Sequence, residues 1–497
     1  MDLSFYSKMI SIMNGKKMRL FSFFFLLIFF LYFLLCVSSV VFNYYPSEFR
    51  EGHTLTPTYL FMNGIKPWTL ETYPVYYNSY GFIFNCVVYP FAFLFGNSLI
   101  VHRIFNELFY LLTICMILFY KMPKKIDFQN CFFFVVLFAI FNYGSNISLR
   151  PDGCGTFLYS STFLIPFRNN LRFGYVFVSM IFAILSFFTK PYFVLGWYLL
   201  SIVILLHNWK FCLIYNFVFH SFFLISLIIV LKLFPLYYYE TIFAYDSSIC
   251  NVSHTTSIFP SLLYSIKQYC TFFILLIPFI FYYLVNIKKN SLRIDWRLII
   301  PMIICSLLLF YPLGTNDGAW VTYHIQLLMP IIAIYLIHSI CCDKSRSNII
   351  NILAIVLLIP IVFLGKGIYS PSNDWEKAEK YIEDNNTILN SSLIVPLMIQ
   401  NNKVLTDNGV SGFVYGFKSR PFTEKLFGQD KEIEMRKNSY ISDIKTNISD
   451  QKYDVIMLTD GDYMLLNMVD TMKYKNVDCL NLNTYFSNRK MYVYKPL

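Results

Sequence analysis

The chain has 497 residues and is far more hydrophobic than a soluble protein. Hydrophobic side chains make up 57% of it, charged side chains only 14%, and 53 Phe and 39 Tyr are present. A soluble domain carries about a quarter charged residues, so this composition indicates a membrane protein. The net charge is +11, but the basic residues are spread over short loops, which argues against a nucleic-acid-binding protein. The twelve Cys show no CxxC pair and no Cys/His ligand spacing, so the sequence predicts neither a disulfide framework nor a metal centre.

About eleven apolar segments are candidates for crossing a hydrocarbon core of about 30 Å. The chain is therefore predicted to be a polytopic α-helical membrane protein. The first segment is too long for a cleavable signal, and no small-residue cleavage site follows it. The predicted spans are 20–42, 99–120, 131–147, 153–166, 173–189, 192–206, 211–234, 269–287, 298–313, 325–341 and 349–364.

A further apolar segment, 81–96, is predicted to lie along the outer surface as a juxtamembrane helix. If it crossed the membrane, Lys121, Lys124 and Lys125 would face outward. If it does not cross, these lysines and every later basic loop face the cytoplasm, as the positive-inside rule favours. The N-terminus is then cytoplasmic, and residues 43–98 form a long outer loop.

The composition after about Ser370 is that of a soluble domain. Trp375, Ala378 and Ile382 recur at helical spacing. Short strands are predicted at 392–399, 403–406, 454–458 and 490–494, and the DNG at 407–409 predicts a turn. The chain is accordingly divided into a membrane domain, 1–368, and a small α/β domain outside the membrane, 369–497. The second domain carries no recognisable catalytic motif.

The first outer loop places polar side chains close to the membrane surface. Glu48, Arg50, Glu51 and His53 all follow the first span within a few residues. A carboxylate held beside a bilayer, outside the cytoplasm, can act on a substrate whose carrier is a lipid. Glu51 and Glu48 are therefore candidate catalytic residues; the competing interpretation is that both are solvated loop residues.

Charged residues also occur at the outer ends of later spans. In the RPDG segment, Arg150 could bind a phosphate oxygen, and Asp152 could orient it or hold a metal. Lys190 and Arg103 lie at outer ends against the positive-inside trend, which suits a lipid-linked phosphate. Side chains that snorkel to the interface are the alternative explanation for each.

A late outer loop supplies a second kind of candidate. Tyr323 could stack on a sugar ring, and the adjacent His324 is a further candidate for substrate binding. An interfacial aromatic belt explains Tyr323 equally well. The outer histidines show no ligand spacing, so no metal ligand is assigned; a divalent metal stays open.

This pattern resembles the GT-C superfamily of membrane glycosyltransferases, the family 39-like enzymes that include protein mannosyltransferases and the lipid A aminoarabinose transferase. The resemblance covers roughly the first 190 residues, and the later part matches in topology alone. It is carried by Glu51-Gly52, Asn63-Gly64, Tyr80-Gly81, Phe95-Gly96 followed by Arg103, and Arg150-Pro151-Asp152.

The resemblance implies an enzyme that takes a sugar from a polyprenyl-phosphate donor. Its catalytic carboxylate would be Glu51 in the Glu-Gly context, with Glu48 in reserve, and Asp152 would be a second acidic position. Family members often carry an Asp-Glu pair in this loop, whereas here Phe49 and Arg50 separate the two glutamates. The acceptor would be a glycan or lipid-linked molecule on the periplasmic face of a bacterial inner membrane, with a role in O-antigen or surface-polysaccharide modification.

Three other interpretations stay open. The first is a polymerase or ligase that uses a polyprenyl-diphosphate glycan. The second is a transporter or flippase, which should show intramembrane charges or internal repeats. The third is a membrane protein with a structural role and no catalysis.

Overall fold

The computed structural model describes residues 16–119, 128–169, 171–241, 270, 273–278, 280–281, 325–333, 356–359, 367–409 and 431–497. The predicted span 298–313 lies wholly outside these residues, as do more than half of 269–287, nearly half of 325–341 and most of 349–364.

The predicted spans of the first half are helices whose ends shift by a few residues. They are α1 (Lys16–Val41), α4 (Leu99–Leu118), α5 (Phe128–Phe141), α6 (Asp152–Arg168), α7 (Phe173–Phe187), α8 (Leu195–His207) and α9 (Trp209–Leu233). The first outer loop contributes α2 (Glu51–Met62) and α3 (Ile83–Phe95), and α10 (Tyr237–Thr241) follows α9. Short 3₁₀ turns at Gly144–Ile147 and Pro191–Val194 precede α6 and α8.

Within the described ranges, three helices are long and apolar enough to cross a membrane. These are Leu20–Val41, Leu99–Leu118 and Trp209–Leu233, and Ile83–Phe95, Asn130–Phe141, Phe173–Phe187 and Pro191–His207 are shorter apolar helices. The juxtamembrane segment is thus a helix, and its position along the outer surface stays a prediction, as does the total of eleven spans.

The C-terminal segment folds around a four-stranded mixed sheet of order β1-β2-β4-β3. Strand β1 (Ile388–Asn390) pairs parallel with β2 (Val455–Thr459), and β4 (Asn488–Pro496) pairs antiparallel with β2 and with β3 (Tyr474–Asn483). The helices are α11 (Asp374–Asp384), α12 (Val395–Gln400), α13 (Lys431–Ser449) and α14 (Tyr463–Leu466), with a 3₁₀ turn at Ser392–Ile394. Helix α11 buries Trp375, Ala378 and Ile382, as the helical spacing predicts.

Two of the four predicted strands are wrong. Residues 392–399 form the 3₁₀ turn and α12, because a short apolar segment buried on all sides suits a helix as well as a strand. Pro396 fits the first turn of that helix, where no backbone donor is needed. Residues 403–406 run beside β1 without forming a strand, since Thr406 bonds to the Asn390 side chain through its backbone nitrogen (2.8 Å). The predicted strands 454–458 and 490–494 are confirmed within β2 and β4.

The C-terminal segment packs directly on the first outer loop. One hydrophobic cluster contains Leu55 of α2 and Phe84 of α3 together with Trp375 and Val395 of the C-terminal segment. The loop that carries the predicted carboxylates therefore lies between the membrane helices and the sheet domain. The domain boundary at residue 368 and the periplasmic side of this segment stay predictions.

Candidate functional site

Six of the eight predicted site residues lie in three ion pairs that connect the first outer loop to the ends of the membrane helices. Each carboxylate has one basic partner. The pairs are Glu51 with Arg103, Glu48 with Arg150, and Asp152 with Lys190. These residues, named from the sequence, come together in pairs that neutralise each other, which the sequence did not predict.

The Glu51–Arg103 pair is completely buried. The Arg103 guanidinium donates to both carboxylate oxygens of Glu51, at 2.8 Å from Nε and 2.6 Å from Nη2. The same carboxylate accepts the backbone N–H groups of Ser47 (2.6 Å) and Leu149 (2.8 Å). The remaining donors of Arg103 reach the backbone carbonyls of Val40, Asn43 and Tyr45.

Through these contacts the Glu51–Arg103 pair connects four parts of the chain: the end of α1, the first outer loop, α4 and the segment before α6. Arg103 was expected to reach an outward cavity, yet its exposed fraction is 0% and its donors are occupied, so a phosphate has no access to it. The Glu51 carboxylate accepts four hydrogen bonds and is equally buried, which leaves no free lone pair for an acceptor hydroxyl.

The Glu48–Arg150 pair is buried but slightly more exposed than the Glu51–Arg103 pair. Arg150 donates to both oxygens of Glu48, at 2.5 Å from Nε and 2.6 Å from Nη2, and Ser148 adds a third hydrogen bond at 3.0 Å. Both residues are 7% exposed. Burial alone would raise the pKa of Glu48, but the charge and hydrogen bonds of Arg150 outweigh it and hold that pKa below its usual range. Glu48 is therefore a carboxylate at neutral pH.

The Asp152–Lys190 pair lies beside the second one. The Lys190 ammonium donates to Asp152 Oδ1 and lies 4.6 Å from the centre of the Tyr80 ring, a cation–π distance. Burial lowers the pKa of Lys190, the Asp152 carboxylate counteracts this, and Arg150 adds to the lowering. Among the described residues, Asp152 Oδ2 has no hydrogen-bond partner.

Gly81 brings Tyr80 to that position. Its backbone N–H donates to the Thr189 carbonyl at 3.1 Å. A Cβ atom on Gly81 would lie 1.9 Å from the Phe188 carbonyl oxygen, so only glycine fits. The chain just before α3 is thus in direct contact with the residues that precede Lys190.

Arg50, which the sequence places next to Glu51 as a residue that could tune or orient it, is half-buried at the N-cap of α2. Within the described part of the chain it forms no ion pair, and its guanidinium lies 5.2 Å from the centre of the Phe49 ring. Burial and closer groups have larger effects on the pKa values of Glu48 and Lys190, and the charge of Arg50 lowers both further. Arg50 is therefore close enough to interact electrostatically with both pairs. The cluster therefore contains four cations and three carboxylates.

Helix α4 has a buried polar face, of which the sequence indicated only Arg103 as a site residue. His102, Arg103, Asn106, Glu107 and Tyr110 are all buried. Their spacing follows one helical face, so this signal was readable in the sequence. Both carboxylate oxygens of Glu107 lack a hydrogen-bond partner among the described residues. Asn106 links this face to the site, because its side chain accepts the Gly153 N–H at 2.9 Å.

Tyr323 and His324 lie outside the described residues. Among the residues that are described, no group of three or more His, Cys, Asp or Glu side chains is placed to hold a metal ion.

His53 should make the fold sensitive to acid. Burial, followed by the charge of Arg50, lowers the pKa of His53 to about 3. The unfolded chain binds a proton near pH 6.5, whereas the folded chain stays neutral there, so stability falls as the pH falls through this window. The loss should reach about 2 kcal/mol between pH 7.5 and pH 5.

Thermal unfolding across this pH range measures the effect. His53→Gln should show a smaller decrease in Tm toward pH 5, and His207→Gln, at an exposed histidine, should keep the decrease of the unmodified protein. An identical pH dependence in His53→Gln would show that His53 is protonated in the folded protein.

Comparison with known proteins yields one structural similarity. No family model and no curated protein matches the chain. The crystal structure of ArnT from Cupriavidus metallidurans bound to undecaprenyl phosphate has 11% sequence identity to it and a TM-score of 0.47. The alignment covers 94% of this chain and 97% of that chain.

Proposed function

We propose that this protein is a membrane glycosyltransferase that moves a sugar from a polyprenyl-phosphate donor to a glycan or lipid-linked acceptor on the outer face of a bacterial inner membrane. The acceptor would belong to O-antigen or another surface polysaccharide. Three observations support the proposal: the apolar helices, the charged cluster at the ends of these helices, and the resemblance of the first 190 residues to the GT-C enzymes.

The charge of the cluster is the observation that carries the proposal. Three carboxylates are each neutralised by a basic partner, and Arg50 forms no ion pair with any residue that the structure describes. A sugar linked to a polyprenyl phosphate is a phosphodiester with a single negative charge. The cluster can therefore accept it without disrupting all three pairs, and the anion compensates the positive charge of Arg50.

Glu48 is the carboxylate best suited to act as the base. Among the three carboxylates it is the most exposed, at 7%, compared with 0% for Glu51 and for Asp152. We assign Arg150 a double role: it orients Glu48 in the empty site and turns toward the phosphate when the donor binds. Lys190, held by Asp152, is the third cation beside the phosphate.

The transfer step then needs no further reactant. The acceptor hydroxyl oxygen attacks the anomeric carbon of the donor sugar, and its proton passes to Glu48. The bond between that carbon and the phosphate oxygen breaks, and the lipid phosphate leaves with the electron pair. Because the attack comes from the face opposite the leaving group, the configuration at the anomeric carbon inverts.

Radiolabelled polyprenyl-phosphate sugars, supplied one at a time to membranes that contain the protein, test the function. Label should pass into a lipid-linked or polymeric product with at least one donor, and membranes that contain Glu48→Gln should give far less. If polyprenyl-diphosphate glycans are used and monophosphate sugars are not, the protein is a polymerase or ligase instead.

Arg50→Gln should weaken binding of the lipid phosphate. A hydrogen bond to a charged group contributes about 1.5–3 kcal/mol, which corresponds to about tenfold to a hundredfold in affinity. Titration of the purified protein with undecaprenyl phosphate measures the change. Lys66→Gln removes the same charge from an exposed position in the same loop and is the matched control. Equal weakening in both variants would mean that only the overall charge of the loop matters.

A further inference from the structure

The C-terminal segment contacts the first outer loop on both sides of the residues that carry the site. On the N-terminal side, the Tyr45 ring stacks on Trp375 of α11 with 5.5 Å between ring centres and 15° between planes. The Tyr45 hydroxyl also donates to Glu379 at 3.3 Å. Residues 46–51 begin immediately after this contact.

On the C-terminal side, two glycines allow a very close approach. A Cβ atom on Gly52 would lie 2.9 Å from Val395 Cβ and 3.0 Å from Val395 Cγ1. A Cβ atom on Gly409 would lie 2.3 Å from His53 Nε2. Asn408, between these contacts, donates to the Tyr77 carbonyl at 3.1 Å. The start of α2 is therefore fitted against α12 and the DNG turn with no room for one additional carbon.

We propose that the C-terminal segment, residues 369–497, positions the first outer loop for the transfer reaction. Trp375, Val395 and the turn at 407–409 fix the segment 46–51 from the outside, while the Glu51–Arg103 pair fixes it from the inside. Gly52 and Val395 are positioning residues, because they act through Glu48 and Arg50 and do not touch substrate. The catalytic consequence rests on the proposed function; the positioning itself does not.

Such positioning has a physical basis. A loop with few contacts samples many conformations, and ordering each residue costs about 1–2 kcal/mol. A base displaced by about 1 Å can lose about a hundredfold in rate. The contacts on both sides of 46–51 reduce the conformations open to Glu48 before substrate arrives.

Two substitutions at the contacting positions test the proposal in the full-length protein: one adds a methyl group at Gly52, and the other removes the side chain of Val395. Gly52→Ala should lower kcat about a hundredfold and speed hydrogen exchange of the backbone amides in 45–54. Adding Val395→Gly to Gly52→Ala removes the two closest atoms that the new methyl group meets and leaves Asn408 Oδ1 at 3.3 Å. The kcat and the exchange protection should therefore recover much of the loss. The control is Gly174→Ala, since a Cβ atom there meets nothing within 4 Å.

Thermal unfolding separates positioning from stability. Val395→Gly deletes buried apolar contacts, so the double variant should still unfold below the unmodified protein even where kcat recovers. A double variant no faster than Gly52→Ala, or unchanged exchange in Gly52→Ala, would overturn the proposal. The unmodified protein could transfer no sugar while hydrogen exchange in 45–54 still speeds up in Gly52→Ala and slows again in the double variant. That result would support the positioning and contradict the proposed function.

Discussion

Glu51→Gln should leave the protein poorly folded, with a large decrease in Tm. The substitution removes the negative charge opposite Arg103, whose side chain has no access to solvent. Breaking a buried pair by removing one partner costs about 3–5 kcal/mol, because the remaining charge is buried without compensation. Whole proteins are stable by only about 5–15 kcal/mol, so the yield from membranes should also fall.

The control for this experiment is an ion pair at the surface. Asp450 pairs with Lys452 at 3.5 Å, and both side chains are more than half exposed. Asp450→Asn should therefore change the stability by less than about 1 kcal/mol. A Glu51→Gln protein with the Tm of the unmodified protein and no transfer activity would instead make Glu51 the base, as the resemblance to the GT-C enzymes implies.

Glu48→Gln should abolish most transfer and destabilise the protein less than Glu51→Gln does, because Arg150 keeps some access to solvent and Arg103 has none. A base in the transfer step contributes about 10²–10⁴-fold to the rate. Glutamine retains the shape of the side chain, and its single oxygen can still accept from Arg150 Nε and from Ser148. It loses the hydrogen bond from Arg150 Nη2, and it cannot take the proton. Product formation by purified protein at saturating donor measures the loss, and thermal unfolding checks the fold.

The affinity for undecaprenyl phosphate adds a second criterion. Glu48→Gln should bind the lipid at least as tightly as the unmodified protein, because Arg150 loses the competing carboxylate. Normal transfer in the folded Glu48→Gln protein would exclude Glu48 as the base and leave Asp152, whose Oδ2 is open, as the next candidate.

The sequence predicted the helices of the first half because long apolar segments leave few alternatives in a bilayer. It also named Glu48, Arg150 and Lys190, which the fold brings into ion pairs, since an unpaired charge near the membrane is costly. What it could not predict is the pairing. Glu48 and Glu51 are three residues apart and chemically equivalent, and only the fold decides which of them faces Arg103.

In the C-terminal segment, too, the sequence predicted some elements and not others. The helical spacing of Trp375, Ala378 and Ile382 was sufficient to predict α11. The apolar segment 392–399 was not sufficient, because its burial on all sides removes the periodicity that separates a strand from a helix. Its contact with Gly52 depends on residues more than 300 positions apart and left no local signal.

The close approach at Gly81 limits which sequences can form this arrangement. With the Phe188 carbonyl oxygen 1.9 Å from where a Cβ atom would lie, any other residue must separate Tyr80 from Lys190. A distant relative that retains the site should therefore show glycine after the residue equivalent to Tyr80, and about 110 positions before a lysine like Lys190. When overall identity is too low to align two chains, this glycine and that lysine, together with the arginine equivalent to Arg103, form a minimal signature for recognising them.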